Sequence, residues 1–469
     1  MARRKKAAQG LTPEEKLAQA LVSMEEQPYQ IPDNWCWIQL NCIKKDKDSF
    51  FDGDWILSSD MDSDGDVRLL QLSDIGIGDF LDKSDKHISF STYKKLNCTK
   101  LCAGDVMISR MAEPIARSCI VPEFSYTAIT AVDVAIMRCN SAIIINRFLN
   151  YLCNTPWFTD LAFSRARGTT RVRITRANLG EMPLPLPPLS EQQRIVDRIE
   201  SIFAKLDEAK EKAQAVVDGF ELRKSAILHK AFTGELTAKW REEHSLTLDD
   251  WETDNLGDRF EIMSGVQKTP ARTPKDHPIP YLAVANVYRD SVDVSEIRYF
   301  EVADDELERL KLKNKDLLIV EGNGSGNEIG RCAMWRGELP VCIHQNHIIR
   351  MRKKDEKILE EYVLYYLNSD AGKKIMKIRA KTTAGLYNLS VGKIRTIPVP
   401  FAMLEEQIEI VRILDSLLAK ENAAKEAAES VLEQIDTMKK AVLARAFRGE
   451  LGTNDPAEES AVELLKTML

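Results

Sequence analysis

Apolar residues recur at alternating spacings of four and three along residues 189–236, at Ile195, Ile199, Ile202, Leu206, Ala209, Ala213, Val216 and Phe220. The same register returns 215 residues later, at Ile410, Leu414, Leu417, Ala424, Ala428, Val431, Ile435, Met438 and Val442, with Glu421 interrupting it. A mean period of 3.5 leaves one straight seam on a helix, so each stretch predicts a long helix of coiled-coil type. About 40 residues at 1.5 Å each give a rod of roughly 60 Å. The stretches align without a gap, and 21 of 48 positions are identical between 189–236 and 404–451. Two matched seams in one chain predict rods that pack on each other, antiparallel, with a globule between them. Ser190 with Gln193 predicts a capping box at the start of the first rod. Gly234 and Gly449 predict the stops.

Between the rods the pattern shortens. Residues 68–75, 106–109 and 132–138 read as strands in a first region, and 281–287, 317–320 and 347–351 in a second. Each region also has a late helical stretch, at 146–158 and 360–368, and each opens on a matched spacing, Trp35 to Leu40 and Trp251 to Leu256. The fold class is therefore α+β: two mixed globules of similar plan and divergent sequence, separated by two long repeated helices that form an antiparallel coiled coil. The segments are a tail and short helix over 1–30, a globule over 31–188, a rod over 189–236, a globule over 237–400, a rod over 401–451 and a short helix over 452–469. Thr12, Pro13 and Glu15 predict a capped helix start. Asp455, Pro456 and Glu458 predict another before the final apolar run, so both chain ends are expected to serve one docking surface. Prolines over 183–188 and 398–400 limit the backbone where each globule meets its rod.

Composition changes this picture little. The chain has 469 residues, 44% of them hydrophobic, enough for several cores. No apolar run reaches the roughly 18 residues of a membrane span, and the basic start lacks the apolar segment of a signal peptide. Nine cysteines without framework spacing point to reduced thiols and a cytoplasmic setting. A net charge of −7 excludes general polyanion binding, so nucleic-acid contact must come from local patches.

Two such patches exist. No acid lies between Asp160 and Glu181, where Arg165, Arg167, Arg171, Arg173 and Arg176 surround Thr169 and Thr170. None lies between Asp370 and Leu404, where Lys374, Lys377, Arg379 and Lys381 precede Thr382 and Tyr387. Arginine, lysine and hydroxyl donors suit phosphates, and arginine also pairs with guanine edges. A solvated charged face is the plain alternative, weakened because the patches recur at equivalent places. Asp60, Asp62, Asp64 and Asp66 resemble the start of a calcium loop, but position 12 is Gln71, and a turn into the next strand accounts for them. The glycine-rich run 321–326 lacks the lysine of a P-loop and offers Asn323 and Ser325 to a ligand. His344, Gln345, Asn346 and His347 alternate along a strand, as polar structural residues, base readers or a metal pair. No methyltransferase, Walker, serine-nucleophile or zinc-protease motif is present.

The runs PLPLPPLSEQQRIV (183–196) and KAFTGEL (230–236), with second copies at 398–411 and 445–451, resemble the specificity subunits of type I restriction–modification systems. So do GDVMISRM (104–111), EGNGSGNEIGR (321–331) and CIHQNH (342–347). The resemblance implies a non-catalytic DNA reader of a bipartite target with an unread spacer. It implies two methyltransferase subunits using S-adenosylmethionine and two motor–nuclease subunits using ATP and magnesium, with no cofactor in this chain and no metal site. Arg110, Arg117, Arg331, Gln345 and Asn346 complete the candidate DNA contacts. A stand-alone nuclease with an unrecognised site, or a coiled-coil scaffold, are the competing classes.

Overall fold

The computed structural model describes residues 12–322, 328–380 and 387–468. The chain divides into two compact units: Met1–Lys212 with Val431–Leu469, and Ala213–Ser430. The first unit is thus assembled from both ends of the sequence.

The rods form as the seam requires. The first helix runs Leu189–Asp218 and resumes as Phe220–Phe232 after Gly219; the second runs unbroken over Leu404–Ala446. Within the first unit Ile195, Val196 and Ile199 share a core with Leu443, Ala446 and Phe447, and Lys439 Nζ lies 2.6 Å from Asp207. Within the second, Leu228 and Ala231 share a core with Ile410 and Leu414, and Arg223 lies 2.7 Å from Glu421. Partner numbers rise on one helix as they fall on the other, which is antiparallel pairing. Glu421, the polar break in the seam, thereby meets an arginine. Gly234 and Gly449 end the rods at φ +78° and +74°, a left-handed conformation that glycine adopts without a Cβ penalty.

Ser190 does not cap the first rod. It lies inside the helix, where its hydroxyl donates to Glu458 at 2.7 Å, while Gln193 donates to Asp197. Glu458 is likewise drawn away from the final helix, Ala461–Met468, by Arg194 at 2.7 and 2.8 Å. That ion pair holds the Glu458 carboxyl down at about 2. The Thr12 capping box is formed, and its helix, Pro13–Ala20, packs with the final helix in the first unit.

Each unit contains the same three sheets. In the first, Phe50–Asp52, Val134–Met137, Val106–Ser109 and Ser118–Ile120 form an antiparallel four-stranded sheet in that order. Its counterpart is Phe260–Ser264, Ile348–Lys353, Leu317–Val320 and Cys332–Met334. A three-stranded sheet follows in each: His87–Ile88, Val67–Leu70 and Thr127–Thr130, then Arg298–Glu301, Pro278–Leu282 and Ile343–His344. The proline stretches are strands. Pro183–Leu186 pairs with Cys36–Gln39, and Pro398–Phe401 with Glu252–Asn255. Each proline strand has one partner only, so the missing N–H groups face no ladder. The helix expected over 146–158 divides at Pro156 into Asn146–Cys153 and Pro156–Arg165. Pro156 cannot continue the first helix but suits the first turn of a second, capped by Thr155.

Matching extends to single hydrogen bonds. Arg138 clasps Asp105 with two nitrogens, both at 2.8 Å, and Arg352 clasps Asp316 at 2.7 and 2.6 Å. Asn154 Nδ2 donates to Ser118 O, and Asn368 Nδ2 to Cys332 O. The rods grip their globules identically. Gln192 accepts from Ile145 N and donates to Ile143 O and Pro187 O; Gln407 accepts from Leu359 N and donates to Lys357 O and Ala402 O. Glu191 accepts from the Trp35 indole at 2.7 Å and Glu406 from Trp251 at 2.8 Å.

Candidate nucleic-acid interface

The first basic patch is a hairpin on the first unit. Arg167 and Arg173 exchange both backbone hydrogen bonds at 2.9 Å. Gly168 turns the chain at φ +123°, where an added Cβ would stand 2.3 Å from Arg171 O. The tip therefore presents Thr169, Thr170 and Arg171 to solvent. Beneath it the guanidinium groups are aimed. Arg173 donates to Val132 O at 2.8 Å and lies 3.4 Å from Asp133. Arg176 pairs with Asp52 at 3.4 Å and donates to Phe50 O. Arg165 donates to Glu181 O, and Arg167 to Ala166 O. The patch is thus less basic than its sequence, because Asp52, from the strand Phe50–Asp52, and Asp133, from the turn before Val134, fold into it from distant parts of the chain.

Arg110 is not at this surface. It is buried, bound to Asp52, Val132 O and Ile174 O. Burial pulls its guanidinium below the ordinary arginine value, against the pull of Asp52. Arg117 and Arg331 are also spent internally. Arg117 donates to Ile75 O, Leu72 O and Ala112 O, and Arg331 to Val284 O. Leu72–Asp74 and Val284–Asn286 are the same short 3-10 turn in the two units, so these arginines pin one framework element. The sequence showed their charge but not the carbonyls waiting for it.

In the second unit, Lys374, Lys377 and Arg379 lie exposed along the helix Asp370–Ala380. Asn323, Ser325, Lys381 and Thr382 lie outside the described residues. Tyr387 is half-buried against the core. Gln345 and Asn346 are half-buried, their backbone N–H groups bound to Leu282 O and Val266 O. His347 is exposed, with Nδ1 3.1 Å from Glu321. His344 is fully buried; burial lowers its imidazole to about 4, so it is neutral and can donate Nδ1–H to Ile348 O at 2.8 Å. Among the described residues no group of three or more His, Cys, Asp or Glu is placed to hold a metal ion. Asp62 instead accepts from Asp64 N in a turn leading to Val67–Leu70. No described helix is long and apolar enough to cross a membrane.

The model of the type I restriction modification DNA specificity domain matches residues 75–217 and 248–434. The chain belongs to that family. The specificity subunit of the EcoKI type I restriction enzyme of Escherichia coli K12 is 29% identical over 67% of this chain and 68% of its own length. The StySPI specificity subunit of Salmonella potsdam is 24% identical over 66% of each. Among solved structures, the HsdS subunit of Thermoanaerobacter tengcongensis superimposes with a TM-score of 0.65 at 18% identity, over 91% of this chain and all of that one. A second structure, from work on complex assembly and conformational transition of the type I system, gives 0.61 at 18% identity, over 90% of this chain. These likenesses carry the fold: two recognition globules and two long helices. The chain is a DNA-specificity subunit, the part of a restriction–modification complex that reads sequence and not one that performs chemistry.

Proposed function

We propose that each globule of this specificity subunit reads one half of a split duplex target through its basic loop. The supporting observation is that the two globules share a framework down to single hydrogen bonds while carrying different side chains beside the basic stretches. The first unit contributes the hairpin tip, with Thr169, Thr170 and Arg171 on phosphates and Arg165, Arg167, Arg173 and Arg176 behind them. The second contributes Lys374, Lys377, Arg379, Lys381, Thr382, Asn323 and Ser325, with Gln345, Asn346 and Tyr387 toward the bases. The rods and the paired terminal helices are the docking faces for methyltransferase subunits using S-adenosylmethionine. Motor–nuclease subunits using ATP and magnesium join the same assembly, in the cytoplasm.

Duplex binding by the full chain across a salt series tests this. Replacing Arg171 or Arg379 by alanine is expected to weaken binding to all sequences alike, each flattening the log–log salt slope by about one. Unchanged affinity in the double variant would show the patches to be solvated faces. The purified chain, incubated with DNA, magnesium, ATP and S-adenosylmethionine, is expected to leave the DNA uncut and unmethylated. Turnover would return the stand-alone nuclease reading.

A further inference from the structure

In both units the chain leaves the four-stranded sheet through a glycine wedged against the three-stranded one. After Phe50–Asp52, a Cβ on Gly53 would lie 2.2 Å from Ala131 O; after Phe260–Ser264, a Cβ on Gly265 would lie 2.1 Å from His344 O. The next residue makes a parallel bridge in each case, Asp54 with Ala131 and Val266 with Gln345. The residue after that is thrown outward. It is Trp55 in the first unit, 68% exposed, and Gln267 in the second, also exposed. The facing strand leaves the crossover at equivalent positions, Asp133 and His347, both accessible.

The backbone at these positions is fixed by glycine packing and bridging in both units, while the side chains make no shared contact: Asp133 lies 3.4 Å from Arg173, and His347 Nδ1 lies 3.1 Å from Glu321. They differ accordingly: an indole and a carboxylate in one, an amide and an imidazole in the other. Tryptophan carries a large apolar area and an N–H that ordinarily find cover. Here it stands in solvent three residues from Asp52, which pairs with Arg176, while Asp133 pairs with Arg173 at the hairpin stem. Asp52 and Asp133, close in sequence to the crossover, thus both pair with arginines of the basic stretch. Phosphate contacts position a protein on duplex DNA, and base contacts give it sequence.

Resting on the reading above, we infer that the glycine crossover is the base-reading position of each globule, with Trp55 and Asp133 specifying the first half-site and Gln267 and His347 the second. The chemistries follow: an amide spans the N6 and N7 atoms of adenine, a carboxylate accepts from cytosine N4, and an apolar ring meets the thymine methyl group.

Selection of binding sites from a random duplex library, using the full chain, tests the assignment. Trp55→Ala is expected to lose discrimination by roughly 5- to 150-fold at one or two positions of one half-site, the range for a lost base contact. The other half-site and the salt slope stay unchanged. Gln267→Ala is expected to do the mirror image, and Asp133→His to alter the same half as Trp55→Ala. If Trp55→Ala lowers the melting temperature, the exposed amide at Gln267 carries the test. An unaltered consensus in these variants, while Arg171→Ala still weakens binding, overturns the inference and leaves the proposed function standing. A wild-type chain that selects no consensus removes both.

Discussion

Glu406→Ala is expected to destabilise the second unit by about 3–5 kcal/mol, the cost of leaving one member of a buried ion pair alone. Glu406 accepts from Arg241 at 2.5 Å, Thr237 at 2.7 Å and Trp251 at 2.8 Å. The side chains of Arg241 and Glu406 are 6% and 2% exposed, so water cannot replace the lost partner. Arg241 keeps Gly234 O and Thr237 Oγ1, which satisfy its geometry but not its charge. At about 2–4 °C per kcal/mol for a unit of this size, the melting transition falls by roughly 10 °C. Glu191, the counterpart in the first unit, accepts among the described residues from neutral groups, Trp35, Thr453 and Asn454. Glu191→Gln should therefore cost less than Glu406→Gln, because the amide keeps an acceptor and strands no buried cation. Calorimetry of the three variants checks both statements, and equal losses for the two glutamine variants would show that the arginine does not set the difference.

The second large effect is a change of target. Replacing residues 31–182 by the same span of another specificity subunit is expected to change one half of the recognised sequence and leave the other. The grip of the rod explains why such an exchange can fold. Gln192 holds the globule through Ile143 O, Ile145 N and Pro187 O, and Pro183–Leu186 holds Cys36–Gln39 through its ladder. These are backbone contacts, indifferent to side-chain identity. Trp35 is the side chain that the glutamate of the grip requires, so the incoming span must supply a tryptophan there. Methylome sequencing of a host carrying the hybrid reads both half-sites together. Two altered half-sites would contradict independent reading.

The rods were legible because a 3.5-residue seam and a gapless repeat are local properties of the sequence. Strands 106–109 and 317–320 and helix 360–368 were legible for the same reason, each a short apolar run between turn signals. What escaped was long-range. A proline strand is recognised only by its partner, which for Pro183 is Gln39. Ser190 read as a cap until Glu458, 268 residues away, claimed its hydroxyl. Arg110, Arg117 and Arg331 read as DNA contacts because charge is visible in a sequence and a waiting carbonyl is not. One signal could have been used: Glu191 with Gln192 and Glu406 with Gln407 are identical polar pairs in the two rod copies. On an otherwise diverged surface, such identity marks buried hydrogen bonds. Trp55 and the glycine crossovers carried no comparable signal, since FDGDW and MSGVQ share only the glycine.

The divided first unit also sets a timetable for the ribosome. Ile195, Val196 and Ile199 emerge early, but Leu443, Ala446 and Phe447, which complete their core, follow only after the whole second unit has been made. At about 5–20 residues per second, the roughly 220 intervening residues take about 10–40 s. Throughout that interval the nascent N-terminal half carries an uncovered apolar seam. Chaperones should occupy it, and a messenger truncated after codon 430 should yield an aggregating product, its first unit left without residues 431–469. Slowing translation between codons 213 and 430 should then lower the yield of active subunit without changing a single amino acid.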